Sequence, residues 1–217
     1  MLDPAVVAEN LALVRERVGE SVEILAATKY VSADEMPALH EAGVTLVGEN
    51  RSDALLAKQE LHGDLFTWDF IGHVQSRKVR DIVGRVRLIH AVDSLSVCRQ
   101  VHERAATAAA CLLQVNVAGE DTKAGVDPGQ VDALLEETAE LERLRFDGLM
   151  TMPPLSDDPE RARRWFVALR ELRDHLAPRW QGRHRFEQLS MGTSQDYAVA
   201  AQEGATIVRV GSVLYGR

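Results

Sequence analysis

The sequence predicts a closed parallel (β/α)8 barrel, and three observations predict it. Eight short apolar runs alternate with stretches of helical periodicity over 217 residues. The first five runs pass without a hairpin signal between them, so the strands are expected to pair in parallel through helical crossovers. The runs are too short and too apolar to be anything but buried, which suits a barrel wall near the small end of the barrel size range. An open doubly wound sheet is the alternative architecture. No linker, low-complexity tract or second unit is visible, so residues 1–217 are expected to form one domain.

Taken in order, Asp3-Pro4 places a capping side chain before a proline at the first helical position. Val7, Leu11, Val14 and Val18 share one face, so an extra amphipathic helix precedes the barrel. The first strand is expected at residues 22–28, running into Lys29. Ser32 with Glu35 three residues on is a capping box for a helix over 33–42. A second strand at 44–47 leads through Gly48-Glu49-Asn50-Arg51 to a helix over 51–61, and a third at 66–71 closes on Gly72-His73. A polar helix through Lys78 and Val83, a strand at 87–92, a helix over 94–108 and a strand at 112–117 follow. Asp127-Pro128 opens the next helix, with a strand at 146–150 after it. Asp158-Pro159 opens a helix whose Trp165, Phe166, Leu169, Leu172 and Leu176 read as core. The last two strands are expected at 186–189 and 206–210, ending in Ser190-Met191-Gly192-Thr193-Ser194 and Gly211-Ser212, with a short helix between them that starts at Ser194.

Composition narrows the function. A net charge of −8 argues against a broad basic surface for nucleic acid or an anionic membrane. No signal-type segment and no apolar run of about 18 residues is present. A cytoplasmic protein working on small molecules is expected, and a monomer, since no unused apolar stripe stands out. Cys98 and Cys111 have no CxxC or Cys/His company, so reduced thiols are expected and no metal site. The basic residues are 21 arginines and only four lysines: Lys29, Lys58, Lys78 and Lys123. Arginine is no nucleophile at neutral pH, whereas a desolvated lysine is, so Lys29 at a strand end stands out.

In a barrel the C-terminal strand ends share one face, which brings Lys29, Asn50, His73, Ser190, Arg209 and Ser212 together. The glycine-and-hydroxyl turns after strands seven and eight are where barrels bind phosphate. A phosphate there and a lysine at strand one suit pyridoxal phosphate, whose aldehyde forms a Schiff base with a lysine made partly neutral by burial. A lysine that only snorkels to solvent is the bland alternative. His73 reads as a hydrogen-bonded wall residue rather than a general base, and Asn50 also suits a helix cap.

The runs Leu25-Ala26-Ala27-Thr28-Lys29, Gly48-Glu49-Asn50-Arg51, Phe70 to Lys78, Gln114-Val115-Asn116, Gly148 to Thr151, Leu189 to Gly192 and Val208 to Ser212 occur in order along nearly the whole chain. Together they resemble the pyridoxal phosphate homeostasis proteins, of the YggS/PROSC type. The resemblance implies a barrel of the alanine racemase N-terminal type with pyridoxal 5'-phosphate on Lys29. It puts the phosphate on Ser190, Gly192, Thr193, Ser194, Gly211 and Ser212, and the ring nitrogen against Arg209. Members often carry a second lysine where this chain has Val31, and basic residues beyond the final glycine, where it stops at Arg217. Lys123 matches a further lysine near the site, to be read as a relay or as a solvated loop charge.

Two functions compete under that resemblance. The first is storage, buffering or delivery of the cofactor, with PLP-requiring apoenzymes as partners. The second is an amino-acid racemase, which needs acid/base groups on both faces of the substrate. The two-domain racemases take one from a tyrosine on an added β domain that this chain is expected to lack, and Tyr30, Tyr197 and Tyr215 offer no evident replacement. A third reading is a barrel enzyme acting on a phosphorylated metabolite, with Lys29 as an electrostatic or Schiff-base residue. The binding role is preferred, because no second acid/base group is evident, and the arginine that the resemblance places at the ring nitrogen would make the ring a poorer electron sink.

Overall fold

The computed structural model describes residues 1–120 and 124–216. Helix α1 (Pro4–Val18) starts where expected, with the Asp3 carboxylate accepting from Ala5 N at 3.0 Å, and it packs outside the barrel. The strands are β1 (Glu23–Ala27), β2 (Leu46–Glu49), β3 (Thr67–Phe70), β4 (Leu88–Val92), β5 (Ala109–Gln114), β6 (Leu144–Met150), β7 (Gln188–Ser190) and β8 (Ile207–Val210). All pair in parallel with their sequence neighbours, and β8 closes on β1 through Leu25 opposite Arg209 and Ala26 opposite Val210. The closed barrel excludes the open sheet.

Between the strands run α2 (Met36–Glu41), α3 (Ser52–His62), α4 (Leu95–Arg104), α5 (Val131–Glu137), α6 (Arg163–Arg179) and α7 (Tyr197–Gln202), and α8 (Ser212–Tyr215) follows β8. Two apolar layers hold the assembly. Leu25, Leu46, Leu88, Leu112, Met150 and Ile207 fill part of the barrel interior. A larger shell that includes Val47, Phe146, Phe166, Leu169 and Leu176 lies between wall and helices.

Several boundaries differ from the sequence expectation, and tertiary contacts explain them. The crossover between β3 and β4 is a 3-10 segment, Ser76–Asp81, where a polar helix was expected. The helix over 33–42 divides into a 3-10 turn, Ala33–Glu35, and α2. Helix α4 stops at Arg104, and the alanines beyond it join β5 by pairing Ala109 with Leu144 and Ala110 with Arg145, a sheet register overriding helix propensity. At β2 the chain first closes α2, with Val44 N donating to Leu39 O, and the strand then extends to Glu49 because Gly48 and Glu49 pair with Asp69 and Phe70. Strand β7 starts two residues late, after Phe186 at φ 50.

Candidate functional site

Barrel closure sets β1 beside β8, so the loops after β1, β7 and β8 adjoin on the C-terminal face. The Tyr215 hydroxyl donates to Ala27 O at 3.2 Å and ties α8 to the end of β1. Lys29 leaves that end in a turn, exposed, with Nζ 4.9 Å from the Tyr30 ring centroid. The expected burial of its amine is therefore corrected. Among the described residues the buried lysine is Lys58 on α3, which donates to the buried Glu49 carboxylate and to Thr28 O.

The loops after β7 and β8 form a cradle. The Ser194 hydroxyl oxygen accepts from Gly211 N at 3.0 Å and Val213 N at 3.4 Å, which staples one loop to the other. Gly192 has φ +92, and a Cβ there would lie 2.6 Å from the Ala200 Cβ, so only glycine lets this loop pack on α7. The Asp196 carboxylate accepts from both Thr193 N, at 2.6 Å, and Thr193 Oγ1, at 3.0 Å. Helix α7 accordingly begins at Tyr197, after this turn, and not at Ser194 as expected. The backbone N-H groups of Gly192, Ser194 and Ser212 have no hydrogen-bond partner among the described residues, so this wall keeps donors to spare for an anion.

Arg209 is 5% exposed and held rigidly. Its Nη2 donates to Thr151 O at 2.9 Å and its Nη1 to the Ser190 hydroxyl, while its Nε has no partner among the described residues. Burial lowers the guanidinium to about 10, with Asp196 opposing, which leaves it protonated at neutral pH. Ser190 Oγ therefore lies beneath the cradle, in contact with Arg209. It is also 2.8 Å from His90 Nδ1, and His90 Nε2 is 3.0 Å from Asp69 Oδ2, with both residues fully buried. Arg87 then grips Asp69 with Nε at 3.0 Å and Nη2 at 2.7 Å, and reaches Glu23 at the opposite mouth. A continuous polar chain thus crosses the barrel interior to Arg209.

Charge states along this chain follow from its partners. Burial favours a protonated Asp69 carboxyl, but the hydrogen bonds from His90 and Arg87 outweigh it and lower its pKa. Burial lowers the His90 pKa despite the Asp69 carboxylate. His90 is thus neutral beside an anion, with Nε2 donating to Asp69 and Nδ1 accepting from the Ser190 hydroxyl. The sequence reading singled out neither His90 nor Asp69. Their only signal was a polar residue inside an apolar strand, as in Leu88-Ile89-His90-Ala91-Val92.

Asn50 and His73 lie at the ends of β2 and β3, exposed on the same face. Asn50 N donates to Glu49 Oε2 at 3.2 Å, and Gly72 comes so close to Asn50 that a Cβ would sit 2.0 Å from its carbonyl oxygen. His73 Nδ1 is 3.5 Å from Asp93 Oδ2, whose carboxyl burial raises and His73 partly lowers. Lys123 lies outside the described residues. A cleft of about 340 Å³ lined by Ala8, Leu11, Ile24, Gly43 and Thr45 lies away from this face, between α1 and the start of β2, and brings no set of polar groups together.

The set has a defined chemical capacity: an exposed amine, a two-loop wall with unspent N-H donors, and a buried permanent cation with a free Nε. It fits a phosphorylated aromatic aldehyde bearing a ring acceptor. Among the described residues no group of three or more His, Cys, Asp or Glu side chains is arranged to hold a metal ion.

Comparison with known proteins identifies the family. The family described as "Alanine racemase, N-terminal domain" matches residues 2–217, so the fold is a racemase-type barrel. The pyridoxal phosphate homeostasis protein of Aquifex aeolicus is 39% identical over 222 residues, covering 96% of each chain. Its counterpart from Pseudomonas aeruginosa is 35% identical, covering 97% of this chain and 95% of that one. The solved structure of PipY from Synechococcus elongatus without PLP superposes with a TM-score of 0.89 at 33% identity, covering 97% of this chain and all of that one. PipY with PLP bound gives 0.85. The chain belongs to the pyridoxal phosphate homeostasis protein family.

Proposed function

We propose that this protein binds pyridoxal 5'-phosphate as a Schiff base on Lys29 and holds it in store for PLP-requiring apoenzymes, without strong catalytic turnover of its own. The observation that carries the reading is Arg209, a buried, protonated guanidinium whose Nε has no partner among the described residues, beside the loops that would take the phosphate. When bound, the cofactor supplies an electrophilic carbonyl and an aromatic ring able to accept electrons. Gly192, Ser194 and Ser212 would donate backbone N-H groups to the phosphate, with Thr193 and Gly211 shaping the loops. Ser190 would act one step back, by holding Arg209. Asn50 and His73 would line the open side of the ring. Because Arg209 keeps its proton, it would leave the ring nitrogen unprotonated, which weakens the ring as an electron sink and favours holding over carbanion chemistry. The names of the relatives and the PLP-bound PipY support the assignment. No helix of the described residues is long and apolar enough to cross a membrane. A cytoplasmic monomer is the form in which we place this activity.

Incubation with pyridoxal phosphate should produce an absorbance band near about 420 nm that borohydride fixes to the Lys29 peptide. Lys29→Ala should remove the band without lowering stability, since the Lys29 side chain is exposed. Absence of an adduct in the wild type refutes the proposal. Racemase turnover that depends on Lys29, followed by solvent deuterium incorporation into free amino acids, would replace it with the enzymatic reading.

A further inference from the structure

Beneath the end of β1 lies a charged cluster that the cofactor reading leaves unused. Glu49, the last residue of β2, is fully buried, and Lys58 on α3 is 6% exposed. Lys58 Nζ donates to Glu49 Oε1 and, at 2.8 Å, to Thr28 O. The Thr28 hydroxyl also donates to Glu49 Oε1 at 2.8 Å, and Thr28 N donates to Gly48 O at 3.0 Å. The second Glu49 oxygen accepts from Asn50 N at 3.2 Å. Every polar atom of Thr28 is thus gripped by β2 or α3, and the next residue is Lys29.

A buried ion pair is a poor source of stability, because the lost hydration of two charges consumes most of their attraction, and apolar residues of similar volume serve a fold as well. What this pair provides beyond packing is directional. It fixes the peptide that carries Lys29 and the backbone of Asn50, two residues proposed to line the cofactor site. The Lys29 side chain is exposed, with Nζ 4.9 Å from the Tyr30 ring centroid, and the origin of its arm is set by its backbone. We infer that Glu49 and Lys58 are positioning residues for Lys29, aligning its amine with an aldehyde whose phosphate is already seated at the loops after β7 and β8. In the step they assist, the Lys29 nitrogen bonds to the aldehyde carbon, and the carbonyl oxygen departs as water with two amine hydrogens. The inference rests on the proposed Schiff base.

The test compares pyridoxal phosphate affinity, and the fraction fixed by borohydride, in the full chain with and without the double substitution Glu49→Gln and Lys58→Met. Each is measured with Lys29 present and in the Lys29→Ala background. With Lys29 present, the double substitution should weaken binding about tenfold and lower the fixed fraction, as expected for a misplaced reacting group. In the Lys29→Ala background, where only non-covalent contacts remain, it should change affinity less than about twofold. Equal losses in both backgrounds would make the pair a support of the fold alone and overturn the inference, as would unchanged binding with Lys29 present. Should the double variant fail to fold, Thr28→Val removes only the hydroxyl link to Glu49, and the same background-dependent loss is expected at about threefold. A wild-type protein that forms no adduct refutes the Schiff base itself and this inference with it, a result read without any variant.

Discussion

Ser190→Ala tests the polar chain that fixes Arg209. One hydroxyl serves two buried partners: it accepts from Arg209 Nη1 and donates to His90 Nδ1 at 2.8 Å. Its direction is not free, because Asp69 is ionised and takes the only proton of a neutral His90 through Nε2. Alanine removes the oxygen and orphans a guanidinium N-H and an imidazole nitrogen where Ser190 and His90 are both fully buried. Each orphan costs about 1–3 kcal/mol, so the variant should lose about 2–6 kcal/mol of unfolding free energy. Arg209 stays tethered through Thr151 O, so cofactor affinity should fall by no more than about tenfold, or 1.4 kcal/mol. Urea unfolding at pH 7.5 and cofactor titration read the two effects separately. A cycle with His90→Leu should show coupling above about 1 kcal/mol. A loss below about 0.5 kcal/mol, or additive single effects, would refute the shared hydroxyl.

Acid should weaken the fold before the carboxylates titrate. His184 accepts from Phe146 N at 3.2 Å through Nδ1, and burial lowers its pKa to about 4. Below its unfolded value near 6.5 the unfolded chain binds the proton first, so stability present above pH 6.5 is lost as pH falls toward 4, by at most about 1.4 kcal/mol per pH unit. His90 acts in the same sense. Asp69, lowered in the fold, adds its loss only as pH falls below about 4. Urea midpoints at pH 7.5, 6 and 5 measure this slope, and His184→Gln should flatten it; an unchanged slope would assign it elsewhere. Gly192→Ala should cost more than about 2 kcal/mol, since it combines a positive φ with a contact of 2.6 Å to Ala200, and cofactor binding should fall with it. Thermal unfolding and titration of that variant decide the point.

The barrel and the strand ends proposed to carry its chemistry were legible in the chain because they depend on local patterns. Alternating apolar runs and capped helices specify eight parallel strands, a lysine after Thr28 marks the end of the first, and glycine with hydroxyls marks the turns after the last two. The supports of the site were not legible, because their partners are distant in sequence. His90 and Ser190 are 100 residues apart, Arg209 and Thr151 are 58 apart, and each pair meets only when the barrel closes. The same holds for the lysines. Composition drew attention to Lys29 as a buried amine, but burial depends on which face of a neighbouring helix packs against the wall. Tertiary packing left Lys29 exposed and buried Lys58 against Glu49. By itself, the sequence determined that Lys29 follows the first strand, that glycine-and-hydroxyl turns follow the last two, and that Arg209 lies in the eighth. Only the closed barrel decided which charges lost their water, and burial is what couples Glu49 to Lys58 and Asp69 through His90 and Ser190 to Arg209.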